Sequence, residues 1–334
     1  MKTTAIENWA ERIRRGQPIP PLLGFFLSAL TPLTRAGMFF RHISPKIRVD
    51  AYVISIGNLT VGGTGKTPAV IERAAQEVQR GRKVAVLTRG YGSGSQQEMV
   101  IVPPSEEQDD FKVPWLGDEP ELIRKYVPQV VIGKGAKRIQ VARRVIQDFG
   151  CNTLILDDGF QYVMLERDEN ILLIDATNPF GNRRLIPRGI LREPITAARR
   201  ATQIVLTRCD LASKLDETLA TIRAICPSTP IRLTRHAPSH WVRLIDGSTL
   251  SLEKMCGEKA TALCAIGNPE AFLKTLEVLG VRVTRRLIFP DHFDIPNEII
   301  PREGIVLTTE KDAVRLKQVG ENVYSLVVRL KDML

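Results

Sequence analysis

The stretch Ile56-Gly-Asn-Leu-Thr-Val-Gly-Gly-Thr-Gly-Lys-Thr-Pro68 decides the fold of this 334-residue chain. Its second half has the form of a P-loop, in which small residues allow successive backbone N–H groups to face phosphate oxygens. A buried strand is predicted over residues 50–57 and a helix over residues 67–80, which is the context that the motif requires. Thr60 stands where the usual spacing has its first glycine. Strand, glycine loop and helix together indicate a nucleoside triphosphate site.

The residues of this loop have separate predicted tasks. Lys66 places a positive charge near the β- and γ-phosphates, and the Thr67 hydroxyl is a ligand for Mg²⁺. The predicted nucleotide-binding residues are Gly62, Gly63, Thr64, Gly65, Lys66 and Thr67.

Short apolar segments alternate with predicted helices after the P-loop. Strands are predicted over residues 83–88, 98–102, 129–132, 153–158, 171–175 and 203–207. Such alternation predicts an α/β fold with a doubly wound, mainly parallel sheet, whose functional loops lie at the carboxyl ends of the strands. Pro227-Ser-Thr-Pro230 interrupts the pattern, and a second α/β block follows. We predict a membrane-associating segment over residues 1–45, a P-loop domain over 46–228 and a smaller α/β domain over 229–334.

The charge of the chain indicates an anionic partner. The 47 basic and 37 acidic residues give a formal net charge of +10, which suits nucleic acid, an acidic membrane surface or a phosphorylated substrate. Because the sequence has no aromatic RNA-binding motif and no zinc-knuckle spacing, we expect no nucleic acid partner. The five cysteines show no metal or redox spacing, so we expect them to be small core residues of a protein in a reducing compartment.

The N-terminal region is apolar. Residues 1–15 have an amphipathic helical pattern, and residues 19–33 form an apolar run that contains several prolines. We expect this run to be too short and too interrupted to span a bilayer, and it lacks the features of a signal peptide. Aromatic and aliphatic residues beside arginines are typical of a segment in the membrane interface. A helix packed on the catalytic domain is the alternative, and both can hold at once.

Two pairs of carboxylates are candidates for chemistry. Asp157 and Asp158 end a predicted Walker-B strand, where one holds Mg²⁺ and the other orients a water, a lysine or a loop. Asp118 and Glu119 open a predicted helix, with Asp118 as its N-cap. Capping alone would explain Asp118, but a carboxylate near an acceptor hydroxyl also serves phosphoryl transfer as a base. His292 is a candidate partner for it across a domain cleft.

Four arginines lie within residues 180–194, a loop punctuated by glycine and proline: Arg183, Arg184, Arg188 and Arg192. Forked guanidinium groups suit phosphate recognition or the charge of a transition state. A solvated basic loop is the alternative interpretation.

Taken in order, these motifs resemble the tetraacyldisaccharide 4′-kinase family, which phosphorylates a lipid A precursor. The matching segments are Gly57-Asn58, Gly62–Pro68, Thr88–Gly92, Gly117–Pro120, Gly135–Arg138, Leu156–Gln161, Phe180–Asn182, Leu191–Pro194, Phe289–His292 and Thr309–Asp312. They span nearly the whole chain. The family's P-loop also lacks the first glycine, which accounts for Thr60, whereas Tyr162 and Phe293 stand where family members usually have histidine.

The resemblance implies roles for these residues. Lys66 and Thr67 bind ATP and Mg²⁺, Asp157 and Asp158 serve the metal, and Asp118 is the base toward the 4′-hydroxyl in a dyad with His292. The residues expected to contact phosphates or substrate are Arg192, Arg138, Glu119, Glu193 and Gln161.

The resemblance also implies two α/β domains with a cleft and an N-terminal membrane-associating helix. The substrate is a tetraacyldisaccharide 1-phosphate, and the location is the cytoplasmic face of the inner membrane of a Gram-negative-type bacterium. We expect a monomer.

Two other functions fit part of the sequence. A membrane-associated P-loop NTPase switch that binds a protein partner is one, because Thr207-Arg-Cys-Asp210 faintly resembles a guanine-reading loop. Against it, no D-x-x-G switch follows the Asp157 strand, and Gly117–Pro120 has no place in such a protein. A polynucleotide kinase explains the charge but not the apolar N-terminus.

Overall fold

A computed structural model describes residues 9, 12–13, 19–89, 99–105, 115–291 and 293–333, with residues 40–42 as backbone only. His292, most of the predicted helix 1–15, the glycine-rich residues 90–94 and the acidic residues 106–110 lie outside this description. The chain divides into two compact units. The first comprises Met1–Phe111, Gln129–Arg235 and Asp332–Leu334, and the second comprises Lys112–Pro128 and His236–Lys331. The predicted domain limits at residues 45 and 228 stay predictions.

The first unit starts with two apolar helices and continues as an α/β sheet. Its helices are α1 (Pro21–Ala29), α2 (Thr31–Ile43), α3 (Lys66–Gln79), α5 (Arg138–Phe149) and α6 (Leu215–Ile225). Its strands are β1 (Tyr52–Asn58), β2 (Val84–Thr88), β3 (Val100–Val102), β4 (Val131–Lys134), β5 (Thr153–Asp157), β6 (Glu169–Asp175), β7 (Gln203–Thr207) and the start of β8 (Ile231–Arg243). Short 3-10 helices cover Ile195–Arg200 and Cys209–Leu211.

The strands of the first unit follow the order β3-β4-β2-β5-β1-β6-β7-β8. All the strand pairs in it are parallel except β3 with β4, so the predicted α/β fold with a mainly parallel sheet is confirmed. Every residue of β2, β4 and β5 is buried, as expected for parallel strands covered on both faces. In the register of β1 with β5, Ile56 lies beside Asp157. The P-loop and the predicted Walker-B carboxylates therefore start from adjacent strands.

The segment that follows β5 packs closely against β1, and this close packing depends on a glycine. A Cβ atom at Gly57 would lie 2.6 Å from the backbone nitrogen of Phe160, which is too close for any side chain. Phe160 itself is fully buried in the core that includes Leu59 and Leu172. Gly57 thus lets the segment that carries the carboxylates pack directly on the P-loop strand.

The second unit is the smaller one and is also α/β. Its helices are α4 (Asp118–Tyr126), α7 (Pro269–Val278) and α8 (Glu310–Ala313), and its strands are the end of β8, β9 (Thr249–Leu250), β10 (Lys259–Cys264), β11 (Arg282–Ile288), β12 (Ile305–Thr309) and β13 (Val323–Asp332). The order is β11-β10-β12-β13-β8, and β9 pairs with β8. Trp241 is fully buried in this unit's core, and its Nε1 donates to the Leu252 carbonyl at 3.3 Å.

The apolar run of the N-terminal region forms two successive helices, α1 and α2, which are divided at Leu30, so the predicted interruption is present. Pro20 is the N-cap of α1, and α1 and α2 each have a proline in the first two positions, where no backbone N–H is needed. Leu30 joins the helices in a helical conformation. Within the described residues, Pro21–Phe39 is long and apolar enough to cross a membrane by length and composition alone.

Four of the five cysteines are buried, as expected for core residues: Cys151, Cys209, Cys226 and Cys264. Cys256 is exposed, which corrects the expectation for this residue. Burial raises the pKa of the Cys264 thiol to about 12, so this thiol stays protonated at neutral pH.

We predict that Gly57→Ala lowers the free energy of unfolding by about 1–3 kcal/mol, because the added methyl group meets rigid backbone rather than a movable side chain. Urea unfolding measures this difference. Gly63→Ala is the matched control, since a Cβ at Gly63 meets no atom within 4 Å. Equal urea midpoints for Gly57→Ala and the unaltered chain would contradict the prediction.

Candidate active site

The P-loop leaves β1 and ends at the first turn of α3. Gly65 caps this helix with φ 82°, a left-handed conformation that glycine adopts without strain. A Cβ at Gly62 or Gly63 would meet no atom of the described residues within 4 Å, so these positions border open space in this part of the chain. Thr64 Oγ1 is buried and has no hydrogen-bond partner among the described residues. A phosphate group fits this open space, because the N-terminus of α3 and the unpaired Thr64 hydroxyl both offer hydrogen bonds to it.

The backbone of the loop is held in place by residues at the ends of β6 and β7. Thr207 Oγ1 donates to the Thr64 carbonyl at 3.1 Å, and Arg208 Nη1 donates to the Gly63 carbonyl at 3.0 Å. Arg208 also forms an ion pair with Asp175. The sequence reasoning missed this support, because the residues lie far apart in the chain and only the pairing of Asp175 with Thr207 brings them together.

Asp158 lies at the centre of a charged cluster beside the loop. Its Oδ2 is 2.6 Å from Arg192 Nη1 and its Oδ1 is 3.5 Å from Lys66 Nζ. Lys66 Nζ also donates to Asn58 Oδ1 at 3.3 Å. Burial opposes the ionisation of Asp158, but the positive charges of Lys66, Arg192 and Arg138 outweigh it and lower the pKa of this carboxyl. Asp158 is therefore ionised at neutral pH.

Asp157 lies at the very end of β5 and is almost completely buried. The chain turns sharply after it, because Asp158 has φ 51°.

Arg192 reaches this cluster because its segment pairs with the P-loop. Its backbone N–H donates to the Leu59 carbonyl at 2.7 Å, and the Val61 N–H donates to the Ile190 carbonyl at 2.8 Å. Gln161 completes the arrangement, since its Nε2 donates to the Asn58 carbonyl at 2.8 Å and its Oε1 accepts from Arg192 at 3.4 Å.

Arg138 and Glu193 are both buried, but they have different surroundings. Arg138 Nη1 donates to the Asp158 carbonyl at 3.1 Å, and its guanidinium lies 5.5 Å from the Tyr162 ring centroid. Burial lowers the pKa of Arg138. Glu193 forms an ion pair with Arg200 instead. Of the residues predicted for the site, the first unit thus brings Lys66, Asp158, Arg192, Gln161 and Arg138 together.

The remaining predicted carboxylates belong to the second unit. Gly117, with φ 113°, is the N-cap of α4, and Asp118 is the first residue of the helix. The predicted N-cap role of Asp118 is therefore wrong, because the backbone at the cap needs a conformation that favours glycine. Asp118 is 5% exposed, and its Oδ2 lies 3.5 Å from Arg315 Nε. Glu119 pairs with Lys311 Nζ at 2.9 Å.

Arg315, which the sequence reasoning missed, joins several parts of this unit. It forms an ion pair with the fully buried Asp312 and donates to the carbonyls of Ala265 at 3.1 Å and Phe293 at 3.3 Å. Burial raises the pKa of Asp312, although Thr309, Ala265 and Arg315 act in the opposite direction. Arg315 thus connects Asp118 to the backbone directly after position 292.

The donor set at the P-loop suits Mg²⁺. Among the described residues, no group of three or more histidine, cysteine or acidic side chains is placed to hold a metal ion. Mg²⁺ usually takes one or two carboxylates together with substrate phosphates and waters. The Thr67 hydroxyl and the carboxylates of Asp157 and Asp158 carry oxygen donors of this kind.

A glycine loop between β1 and α3, with carboxylates on the adjacent strand, defines this chain as a P-loop nucleotide-binding protein. A family model described as tetraacyldisaccharide-1-P 4′-kinase matches residues 22–332. The chain belongs to the tetraacyldisaccharide 4′-kinase family.

Individual relatives agree with this assignment. A tetraacyldisaccharide 4′-kinase of Anaeromyxobacter dehalogenans is 40% identical over 303 residues, which cover 84% of this chain and 76% of the relative. One of Syntrophus aciditrophicus is 37% identical over 300 residues, covering 84% and 80%. The crystal structure of LpxK from Aquifex aeolicus, an "apo" form in complex with ATP, matches with a TM-score of 0.71 and 29% identity, and covers 92% of this chain and 95% of that one.

We predict that Gly63→Ala weakens ATP binding at least about tenfold, or about 1.4 kcal/mol, because its methyl group enters the open space that the phosphates need. Isothermal titration calorimetry with ATP and Mg²⁺ gives the Kd. Thermal unfolding of Gly63→Ala beside the unaltered chain controls for a change in folding. An unchanged Kd for Gly63→Ala would show that the phosphates do not lie against this position.

Proposed function

We propose that this chain transfers the γ-phosphate of ATP to the 4′-hydroxyl of a tetraacyldisaccharide 1-phosphate, in a Mg²⁺-dependent step of lipid A biosynthesis. The observation that carries the proposal is the cluster of Lys66, Asp158 and Arg192 beside an open P-loop, in a chain of this family. Phosphoryl transfer needs mainly positioning and stabilisation of charge, and this cluster supplies fixed charges at the loop.

For the donor, the backbone N–H groups of Gly62–Lys66 and the Lys66 ammonium would hold the phosphates. Arg192 would stabilise negative charge on the transferring group, since its guanidinium is already oriented by Asp158 and Gln161. Thr67 with Asp157 or Asp158 would hold Mg²⁺, which when bound neutralises charge on the β- and γ-phosphates.

For the acceptor, Asp118 would align the sugar hydroxyl and accept its proton. Its burial and the nearby Arg315 support this role, because together they restrict where the carboxylate points. His292 stays the proposed partner of Asp118. Arg138, Glu119 and Gln161 are proposed to contact the substrate, whereas the ion pair of Glu193 with Arg200 favours an indirect role in supporting the Arg192 segment.

We further propose that α1 and α2 lie on the cytoplasmic face of the inner membrane of a Gram-negative-type bacterium and that the chain acts as a monomer. Leu22, Phe25, Phe26 and Leu33 are each at least 65% exposed. A row of large apolar side chains in water is unfavourable, and the interface of a bilayer would cover it. The acyl chains of the substrate would remain in the same layer.

The direct test is transfer of label from γ-³²P-labelled ATP to purified tetraacyldisaccharide 1-phosphate in detergent micelles, with and without Mg²⁺. A Mg²⁺-dependent labelled lipid is expected. Labelled inorganic phosphate without a labelled lipid, under conditions in which another family member works, would favour the NTPase switch.

We predict that Asp118→Asn lowers kcat by a factor on the order of 10²–10⁴, because the amide cannot accept the hydroxyl proton. The Kd for ATP should not change, since the proposed ATP ligands belong to the first unit. Asp216→Asn, at an exposed position of α6, is the control for removal of a carboxylate. Turnover near that of the unaltered chain would exclude Asp118 as the base.

We predict that Arg315→Met lowers kcat about tenfold or more while the KM for ATP stays constant, because Asp118 loses the cation that orients it. Arg315→Lys keeps the charge without the fork and should recover part of the loss. Arg285→Met, at an exposed position of β11, is the control. Thermal unfolding of all three variants, measured in parallel, separates a loss of kcat from a loss of folded protein. Equal kcat values for Arg315→Met and Arg285→Met would contradict the positioning role of Arg315.

A further inference from the structure

A cavity separate from the P-loop lies where α1 and α2 meet the arginine-rich loop. Its volume is about 480 Å³. The lining residues that matter here are Ser28, Thr31, Arg35, Arg183, Arg184 and Arg188. None of these four arginines belongs to the cluster around Asp158, so the proposed phosphoryl transfer does not use them.

Within the described residues, no acidic side chain compensates the positive charge of the cavity. No carboxylate is among its lining residues, and no ion pair is found for Arg35, Arg183, Arg184 or Arg188 within the described part of the chain. The Nε of Arg188 is buried without a hydrogen-bond partner among the described residues. Four arginines that line one space concentrate positive charge there, and an anion in this space would offset it. Their forked donors match phosphate oxygens.

The helices that form one wall are fixed to the rest of the unit. Thr34 Oγ1 donates to the Ile186 carbonyl at 2.8 Å, and Met38 is buried in the core with Leu185. The Arg188 guanidinium packs directly on Gly24, where a Cβ would lie 3.0 Å from its Cζ. The cavity is therefore a built feature of the unit.

The surroundings of the cavity indicate the source of the anion. On α1 and α2, the helices that supply Ser28, Thr31 and Arg35, Phe25, Phe26 and Leu33 are more than 60% exposed. Apolar side chains next to arginines are the arrangement found at the depth of lipid headgroups. A free phosphate ion would need the arginines but not the apolar residues beside them.

We propose that this cavity binds the phosphate headgroup of an anionic phospholipid of the bilayer on which α1 rests. The proposal depends on the membrane association proposed above and adds a defined lipid site to it. The phosphate would lie among Arg183, Arg184 and Arg188, with the hydroxyls of Ser28 and Thr31 as further polar groups and the acyl chains beside Phe25 and Phe26.

Sedimentation of the full chain with vesicles tests the proposal. Vesicles of phosphatidylcholine alone are compared with mixed phosphatidylcholine and phosphatidylglycerol vesicles. The unaltered chain should bind the mixed vesicles about tenfold more tightly. The exposed pair Arg183→Gln/Arg184→Gln should lose this preference and keep its binding to neutral vesicles, which depends on the apolar residues. Arg143→Gln/Arg144→Gln, an adjacent exposed pair on α5, makes the same change of charge and should keep the preference.

A second variant separates the cavity from general surface charge. Thr31→Phe fills the space and keeps every arginine, so it should lose the preference as well. If Thr31→Phe keeps the preference, or if the unaltered chain binds both vesicles equally, the headgroup site is refuted. Failure to bind either vesicle would refute the membrane association too, whereas the labelled-lipid assay in micelles would be unaffected.

Two further results would assign the anion to another source and overturn the proposal. One is loss of the preference in inorganic phosphate but not in chloride of equal ionic strength, which would indicate a site for free phosphate. The other is a raised KM of Arg183→Gln/Arg184→Gln for tetraacyldisaccharide 1-phosphate in neutral detergent without phospholipid, which would indicate the phosphate of the substrate.

Discussion

The attraction between the partly buried carboxylate of Asp158 and the cations around it is the interaction on which the nucleotide side of the first unit depends. Burial opposes the ionisation of this carboxylate, and the positive charges of Lys66, Arg192 and Arg138 compensate for it from three different segments. The dependence is mutual, since these three cations would repel each other without Asp158. Their attraction keeps the positive groups beside the P-loop before any nucleotide arrives. Phosphates would then compete with Asp158 for Lys66 and Arg192, so nucleotide binding exchanges partners within an existing cluster.

Much of this arrangement could be predicted from the sequence because its signals are local. The P-loop lies between a strand and a helix that are adjacent in the chain, and parallel strands bring the carboxyl ends of β1 and β5 to one edge. Arg208 and Arg315 could not be predicted in this way. Arg208 contacts a carbonyl 145 residues away, and Arg315 contacts Asp118 across almost 200 residues. The sequence around a single arginine does not indicate which distant residue it will contact. Only strand register and packing bring the arginine and its partner together.

Backbone conformation explains the other differences between expectation and structure. The motif Gly117-Asp118 reads as an acidic cap, but the positive φ of Gly117 moves the cap one residue back and leaves Asp118 inside the first turn. The prolines near the N-terminus occupy the first turns of α1 and α2, so they lie where each helix begins. In both cases the position of a residue relative to a helix start decides its effect. The amino-acid composition of a segment does not indicate where its helix will start.

The loop that carries the four arginines serves two surfaces of one unit. At its far end, residues 190–192 exchange backbone hydrogen bonds with Leu59 and Val61 of the P-loop. At its near end, Ile186 accepts from Thr34 of α2 and Arg188 packs on Gly24 of α1. The two ends are tied together, because Leu191 donates to the Arg184 carbonyl at 3.1 Å and Ile186 donates to the Leu191 carbonyl at 2.9 Å. These hydrogen bonds restrain the backbone between the two ends, so a displacement of α1 or α2 acts on the whole segment. It must either break these bonds or move the backbone that positions Arg192.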